Sequence, residues 1–157
     1  MKLVPIEGLD SMSASEILLT KIKLARKFPE DSSYVIGLRR SKNCFGYVAT
    51  YNEHQVNPVG HIDSESHQMY PIGASGFIVC SMWEKFIEVE QLYAVSKHVA
   101  MDLIQKVEKD WCGCVISFTT LNFKDKRKNK LWSVLGYKPE YVCIMTILHW
   151  SKYVNLT

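Results

Sequence analysis

The sequence predicts an α/β fold, of the α+β mixed-sheet type, in which helices flank a central mixed β-sheet. Two observations predict it. Pairs of strand-like runs separated by short turns come first along the chain, and such pairs form antiparallel hairpins. Further on, two amphipathic helices each lie between two strands, and these β-α-β units require parallel pairing. The chain has 157 residues, so we expect a single domain over residues 1–157.

The first elements are a strand and a helix. Residues 2–6 can form a short strand, and Pro5 places that strand at a sheet edge because proline cannot donate to a ladder. Ser13-Ala-Ser-Glu16 matches a capping box, which predicts a helix over residues 14–27. The Phe28-Pro29 step would end that helix.

Four strands in two hairpins come next. Their runs of β-branched and aromatic residues cover 34–40, 44–51, 76–82 and 86–95. Between the hairpins, residues 52–75 are polar, with Asn-Pro and several Gly and Ser. They predict a long irregular loop, and a loop of this length in a compact domain is either functional or mobile.

The second half alternates helices and strands. Residues 99–111 show apolar side chains four apart, at Val99, Leu103, Val107 and Trp111, which predicts a buried amphipathic helix. A strand over 115–120 and a short helix through Leu131, Val134 and Leu135 follow. Gly136 suits a left-handed helix cap, and the apolar residues 141–148 predict one final buried strand.

Charge and composition exclude few functions. The net charge of +3 does not by itself indicate nucleic-acid binding. No apolar run approaches the roughly 18 residues of a membrane span, and the first residues lack the apolar stretch of a signal peptide, so we expect a cytoplasmic protein. Five cysteines at irregular spacing indicate reduced thiols. The basic run Lys124–Lys130 predicts either a solvated loop or a contact with phosphate or another acidic group.

Several residues could carry chemistry. Glu88 and Glu90 alternate onto one face of a strand, where a carboxylate can act as a general base or lie on a partly solvated sheet face. The spacing of His54, His61 and His67 does not match a compact metal motif, so we expect no metal site. Cys112-Gly-Cys114 lacks the two-residue spacer of a zinc or redox pair and indicates a structural role.

Two segments resemble the GNAT superfamily of N-acetyltransferases. Residues 88–94 (EVEQLYA), followed by Ser96 and a helix, are similar to the family's central strand, E-L-x-x-L-Y-V-x-P, and its cofactor helix. Residues 131–137 (LWSVLGY) are similar to its F-Y-x-x-x-G-F step. The likeness covers residues 86–147. Compact, divergent members of this superfamily occur in bacteriophages, also as virion-associated proteins, so the resemblance extends to a phage-encoded member in host cytoplasm or virion.

The resemblance implies an acyl-CoA-dependent N-acetyltransferase with acetyl-CoA as co-substrate. The coenzyme would lie in a V-shaped opening between the parallel strands that end near Val95 and Thr120. The pantetheine arm would pass Leu92, Tyr93, Ala94 and Val95, and the pyrophosphate would meet Lys97, His98, Val99 and Ala100. Free N–H groups and the positive end of a helix dipole suit an anion. Glu88 or Glu90 would deprotonate an amine acceptor.

Two departures from the family pattern keep a second function open. Ser96–Ala100 is shorter than the family's glycine-rich loop and has none of its glycines. Trp132 replaces a tyrosine that acts as general acid, and an indole N–H cannot protonate a thiolate. The chain could therefore be a GNAT-fold binding protein without acetyl transfer, with a protein or nucleic-acid partner at Lys124–Lys130. Both a monomer and a homodimer remain possible.

Overall fold

A computed structural model describes residues 1–13, 32–35, 43–50, 74–121, 126–142 and 147–156. The strands are β1 (Lys2–Pro5), β2 (Ser33–Val35), β3 (Cys44–Thr50), β4 (Ala74–Trp83), β5 (Phe86–Ala94), β6 (Val115–Leu121), β7 (Lys138–Val142) and β8 (Ile147–Tyr153). The helices within these ranges are α1 (Lys97–Asp110) and α2 (Lys126–Val134). The predicted helix over 14–27 lies outside the described residues, as does the predicted loop up to residue 73.

All eight strands belong to one mixed sheet in the order β1-β3-β4-β5-β6-β8-β7, and β2 pairs with β5 beside this path. Neighbouring strands are antiparallel except β5 and β6, which run parallel and are connected by α1. The predicted fold class, a mixed sheet with helices on its faces, is confirmed. β1 and β7 are the edge strands, and each contains a proline, Pro5 and Pro139, as expected where no ladder donor is needed.

The two faces of the sheet carry separate cores. Both helices pack on one face, where Leu103, Val107 and Trp132 meet strand residues such as Val89 and Phe118. The opposite face is covered from the N-terminal segment by Ile6, Leu9 and Met12, which pack against Val48, Phe77 and Val79. The site described below lies where β5 ends between these layers.

Three sequence-based predictions of strand pairing and extent were wrong. Ser33–Val35 pairs with β5 and not with β3, so the start of the strand predicted over 34–40 has a different partner, while residues 36–40 lie outside the described residues. The run 141–148 is not one strand, because Val142 and Ile147 are register partners in the antiparallel pair β7–β8. The second β-α-β unit does not give adjacent parallel strands, since β8 lies between β6 and β7. Hydrophobic patterns predict strands, but partner choice depends on contacts distant in sequence.

Two boundaries also differ from the predictions. β4 begins at Ala74, so residues 74 and 75 belong to a strand and not to the predicted loop. α2 begins at Lys126, so most of the basic run is helical and not a loop before the helix. Lysine and arginine are good helix formers, which explains why a run of them can supply the first turns.

Candidate functional site

The parallel strands β5 and β6 pair over only three residues. Phe86, Ile87 and Glu88 lie opposite Val115, Ile116 and Ser117. β5 then continues to Ala94 and β6 to Leu121, and the described residues of the two strands form no further register pairs with each other. An opening therefore separates their carboxyl-terminal halves.

Strand β2 lies at the β5 side of this opening. Ser33 is the register partner of Tyr93, and Val35 that of Leu92. The Lys128 ammonium donates to the Ser33 carbonyl at 2.8 Å and lies 4.5 Å from the centre of the Tyr34 ring. β2 is thus fixed on one side by β5 and on the other by a side chain of α2.

A pocket of about 210 Å³ opens at the carboxyl end of β5. Its walls come from β2, from the β5–α1 junction and from α2, and consist of Ser32, Tyr34, Ala94, Val95, Lys97, Arg127, Lys128 and Leu131. Three of these eight residues are cationic and none is acidic. The pocket therefore favours an anionic ligand.

The first turn of α1 borders this pocket. The Ser96 side chain caps the helix by accepting from the Val99 amide at 3.4 Å, and the Ser96 carbonyl accepts from the Ala100 amide at 3.1 Å. Val99 and Ala100 are also buried, whereas the Lys97 and His98 side chains are exposed. Only Lys97 and His98 of the four predicted pyrophosphate contacts therefore present side chains to a ligand.

The residues predicted to contact the pantetheine arm lie on two different faces of the sheet. Leu92 and Ala94 are buried in the core beneath α1, and Tyr93 stacks on Phe77 at 5.2 Å on the opposite face. Val95 is 55% exposed, and its amide donates to the Ser75 carbonyl at 2.9 Å. A ligand arm along this strand would therefore meet backbone atoms of Leu92 to Ala94 and not their side chains.

The end of α2 fixes the position of Trp132. Gly136 has φ +92°, its amide donates to the Ser133 carbonyl, and the Tyr137 amide donates to the Trp132 carbonyl. This pair of bonds is a Schellman cap, and the contact between the Trp132 and Tyr137 rings is its usual apolar partner. The predicted left-handed cap at Gly136 is confirmed.

Trp132 is a packing residue in this structure. Its side chain is fully buried, with ring centroids 4.6 Å from Phe118 and 6.2 Å from Tyr34. The indole Nε1 finds no hydrogen-bond acceptor among the described residues. The ring thus fills space between β2 and β6 and supplies no ionisable group there.

Tyr137 does not replace the missing tyrosine. Its hydroxyl donates to Glu108 Oε1 at 3.1 Å, and the same oxygen accepts from Lys152 at 2.9 Å. Burial, reinforced by the Glu108 charge, raises the pKa of Tyr137 far above its ordinary value. A phenol held neutral so firmly, and facing α1, is not available to exchange protons with a ligand.

Glu88 lies where β5 and β6 are still paired. It is 4% exposed, and its Oε2 accepts a hydrogen bond from the Ser117 hydroxyl at 2.7 Å. Ser81 and Ser117 are its neighbours on β4 and β6, so a row of polar side chains crosses three strands. The carboxylate is therefore held at the closed end of the opening.

Glu90 has a different backbone environment. Val79 pairs with Gln91 but Cys80 pairs with Val89, so Glu90 is the extra residue of a β-bulge. The expected alternation of Glu88 and Glu90 is interrupted there, because a bulge re-aims the side chain. Glu90 is fully buried, and its Oε1 finds no hydrogen-bond partner among the described residues.

Sequence reasoning missed Ser117 and β2. Ser117 belongs to the site only through its register opposite Glu88, and a register across a parallel pair has no local sequence signal. Tyr34 and Val35 were within a predicted strand, but nothing in the sequence of that run indicates that Ser33–Val35 pairs with β5. Arg127 and Lys128 were within the predicted basic run, whereas Lys124 and the three histidines of the 52–75 region lie outside the described residues.

Metal ligands, membrane-spanning helices and reactive cysteines were the other features considered in the sequence. The described residues contain no cluster of three or more His, Cys, Asp or Glu that could hold a metal ion. Within the same ranges, no helix is both long and apolar enough to span a bilayer. Cys112 and Cys114 are half-buried in the turn after α1, where Gly113 has φ +85° and donates to the Val154 carbonyl at 2.7 Å.

Comparisons with known proteins support the fold. No protein-family model matches the chain, and no curated protein sequence matches it. The fold is similar to a solved structure from Bacteroides thetaiotaomicron assigned to the GNAT family of acetyltransferases, with a TM-score of 0.53 and 11% identity. The match covers 100% of this chain and 89% of that one. At this identity the likeness shows an acetyltransferase-like fold and nothing about the reaction.

Proposed function

We propose that the chain is an acyl-CoA-dependent N-acetyltransferase that transfers an acetyl group to an amine acceptor. The observation that carries the proposal is the separation of β5 from β6 after Glu88, with a cationic pocket at the wide end of the opening. A carboxylate at the closed end and cations at the open end suit a long ligand that is anionic at one end and reacts at the other.

The residues fit the phosphate end of the coenzyme. Lys97, Arg127 and Lys128 line one pocket next to the N-terminus of α1. Cationic side chains and a helix N-terminus both stabilise phosphate. His98, exposed in the same helical turn, can add a further contact.

The distance along β5 fits an extended arm. From Ala94 back to Glu90 there are four residues, about 13 Å at roughly 3.3 Å per residue. The arm would lie against the backbone of Leu92, Tyr93 and Ala94 and bring its reactive end to the bulge at Glu90. In this structure β2 pairs with Leu92 and Tyr93, so the arm can lie along this edge only after β2 has left it.

The thioester of the coenzyme supplies the acetyl group, and its sulfur leaves as a thiolate. Glu88 or Glu90 accepts the proton that the amine acceptor loses as its nitrogen bonds to the acetyl carbon. Trp132 cannot donate a proton to the leaving sulfur. An ordinary thiol has a pKa of about 8.5, so solvent can protonate the thiolate after release.

Coenzyme binding by titration calorimetry, followed by an acetyl-transfer assay over a panel of amines, tests this function. Lys97→Gln should weaken binding of coenzyme A by about three- to tenfold, since one phosphate contact is lost. Lys109→Gln is the matched control, because it removes an exposed lysine from the last turn of the same helix. Equal affinity for both variants would contradict the placement of the phosphates.

A binding protein without acetyl transfer is the second candidate. Two observations favour it: β2 already pairs with the strand edge that the arm needs, and Trp132 is a buried packing residue. Lys126 and Lys130 are exposed on α2 and could meet an acidic protein or nucleic acid. Salt-dependent binding to DNA or RNA, with no affinity for coenzyme A, would favour this candidate.

A further inference from the structure

We infer that strand β2 is an autoinhibitory segment that competes with the coenzyme arm for the edge of β5. The inference rests on the proposed function, because it concerns regulation of the same site. A strand edge offers one row of N–H and C=O groups, and it can pair with only one neighbour at a time. The backbone of Leu92 and Tyr93 is paired with β2 in this structure.

The contacts of β2 show how it is retained. Val35 is 1% exposed within the core beneath α1, which anchors one end of the segment. Tyr34 contacts Trp132 edge to face and lies under the Lys128 ammonium. Lys128 also binds the Ser33 carbonyl. The strand is therefore held by a core side chain, by an aromatic contact and by a charged hydrogen bond.

The same contacts make β2 replaceable. β2 has three residues and two register pairs with β5, and the ladder is irregular between them. Lys128 lines the anion pocket, so an arriving phosphate competes with the Ser33 carbonyl for its ammonium group. Phosphate binding in the pocket and release of β2 from β5 are coupled through this lysine.

Trp132 has a defined role in this arrangement. Its ring packs against Tyr34 of β2 and against Phe118 of β6, so it bridges the two sides of the opening while β2 is bound. A tyrosine-sized residue would leave part of this surface unfilled. The departure from the family pattern at Trp132 thus stabilises the closed site.

Competition predicts that the apparent affinity falls with the fraction of open molecules. Val35→Ala weakens the anchor of β2 without touching the pocket, and it should lower the apparent Kd for coenzyme A by about three- to tenfold. General damage to the core would change affinity in the opposite direction. Unchanged or weaker binding by Val35→Ala would overturn the inference.

A reversible lock gives the complementary test. Ser33 and Tyr93 are antiparallel register partners, at a spacing that a disulfide can bridge. The double variant Ser33→Cys, Tyr93→Cys should bind coenzyme A at least about tenfold more weakly when oxidised. Reduction should restore the affinity of the matched control, Tyr93→Cys alone. Equal affinity of the oxidised and reduced forms, or a folded variant in which the disulfide does not form, would overturn the inference.

The two proposals fail in different ways. If wild type binds coenzyme A and the locked variant binds equally well, the competition is wrong and the proposed function stands. If the wild type, Val35→Ala and the reduced double variant all fail to bind coenzyme A, both proposals are overturned. Tighter binding by Val35→Ala together with loss of binding in the oxidised double variant supports both.

Discussion

Two glutamates only two residues apart have different environments in this protein. Glu88 is within the regular ladder, with one oxygen bonded to Ser117. Glu90 is the extra residue of the bulge and is fully buried. The regular ladder holds Glu88 in place, whereas the bulge sets the direction of the Glu90 side chain.

Replacement of each glutamate tests its role as a base. We expect Glu88→Gln or Glu90→Gln to lower kcat by about 10² to 10⁴ if that residue accepts the proton, with the affinity for coenzyme A unchanged. Glu140→Gln is a control on an exposed position of β7. Unchanged turnover in both glutamine variants would remove the carboxylates from the mechanism.

Ser117 is expected to position Glu88. Ser117→Ala removes the hydrogen bond to the carboxylate and should lower kcat while leaving the KM for acetyl-CoA within about twofold, because the phosphate contacts are distant. Ser117→Thr keeps the hydroxyl and should restore most of the rate. Steady-state kinetics on both variants decide this, and equal losses for alanine and threonine would show that only packing matters.

At the scale of elements, the site depends on how β5 is paired along its two edges. One edge is paired with a single strand and the other with two short segments. β4 pairs along nearly its whole length, from Trp83 opposite Phe86 to Gly76 opposite Ala94. On its other side, β6 pairs at the start of β5 and β2 near its end. The opening begins where β6 pairing ends at Glu88, and neither β6 nor β2 forms register pairs with the middle of β5, where the bulge at Glu90 lies.

Close backbone approach at Gly76 supports this end of β5. A Cβ atom at Gly76 would lie 2.6 Å from the Tyr93 carbonyl oxygen and 2.9 Å from Val99 Cγ1. Gly76→Ala should therefore destabilise the fold by about 1 to 3 kcal/mol, because β5 or α1 must shift. Urea unfolding measures this change. A free energy of unfolding equal to that of the wild type would mean that β4 at Gly76 has room for a Cβ atom beside β5 and α1.

A hydrogen bond from Tyr47 of β3 connects the sheet to the C-terminal end of helix α1. The Tyr47 hydroxyl donates to Asp110 at 2.9 Å. Burial, then the hydrogen bond to Asp110, raises the pKa of Tyr47 to about 12. The folded state therefore favours the neutral phenol.

The raised pKa of Tyr47 makes the free energy of unfolding depend on pH in one direction. A group whose folded-state pKa is raised contributes fully below its unfolded value and loses that contribution as the pH rises through the folded value. The stability that Tyr47 contributes should thus be present below about pH 10 and decline towards pH 12. Urea midpoints of wild type and Tyr47→Phe should converge over that range, and a constant difference between them would contradict the assignment.

At the scale of the whole molecule, local patterns predicted most elements but not their neighbours. The four-residue apolar spacing of α1 and the cap at Gly136 are local properties, and both are present in the structure. The antiparallel pair β4–β5 and its turn were also predicted, since short hairpins are local. The partner of β2 and the insertion of β8 beside β6 depend on contacts across the chain, so hydrophobic pattern could not predict them.

The same limit applies to the site. The resemblance indicated the strand end and helix start at Ala94, Val95 and Lys97, and these residues line a cationic pocket. It could not indicate that β2 pairs with β5, because that pairing has no counterpart in the motifs. The resemblance named Lys97, His98, Val99 and Ala100 together as pyrophosphate contacts, and in the structure only Lys97 and His98 are exposed.

The central claim is that the opening beside β5 binds an acyl-coenzyme A, and thermal unfolding of the wild-type protein tests it most directly. Coenzyme A at one hundred times its dissociation constant should add about 2.7 kcal/mol to the free energy of unfolding. For a chain of this size, the expected rise in Tm is about 5 to 10 °C. An unchanged Tm at millimolar coenzyme A would contradict the claim.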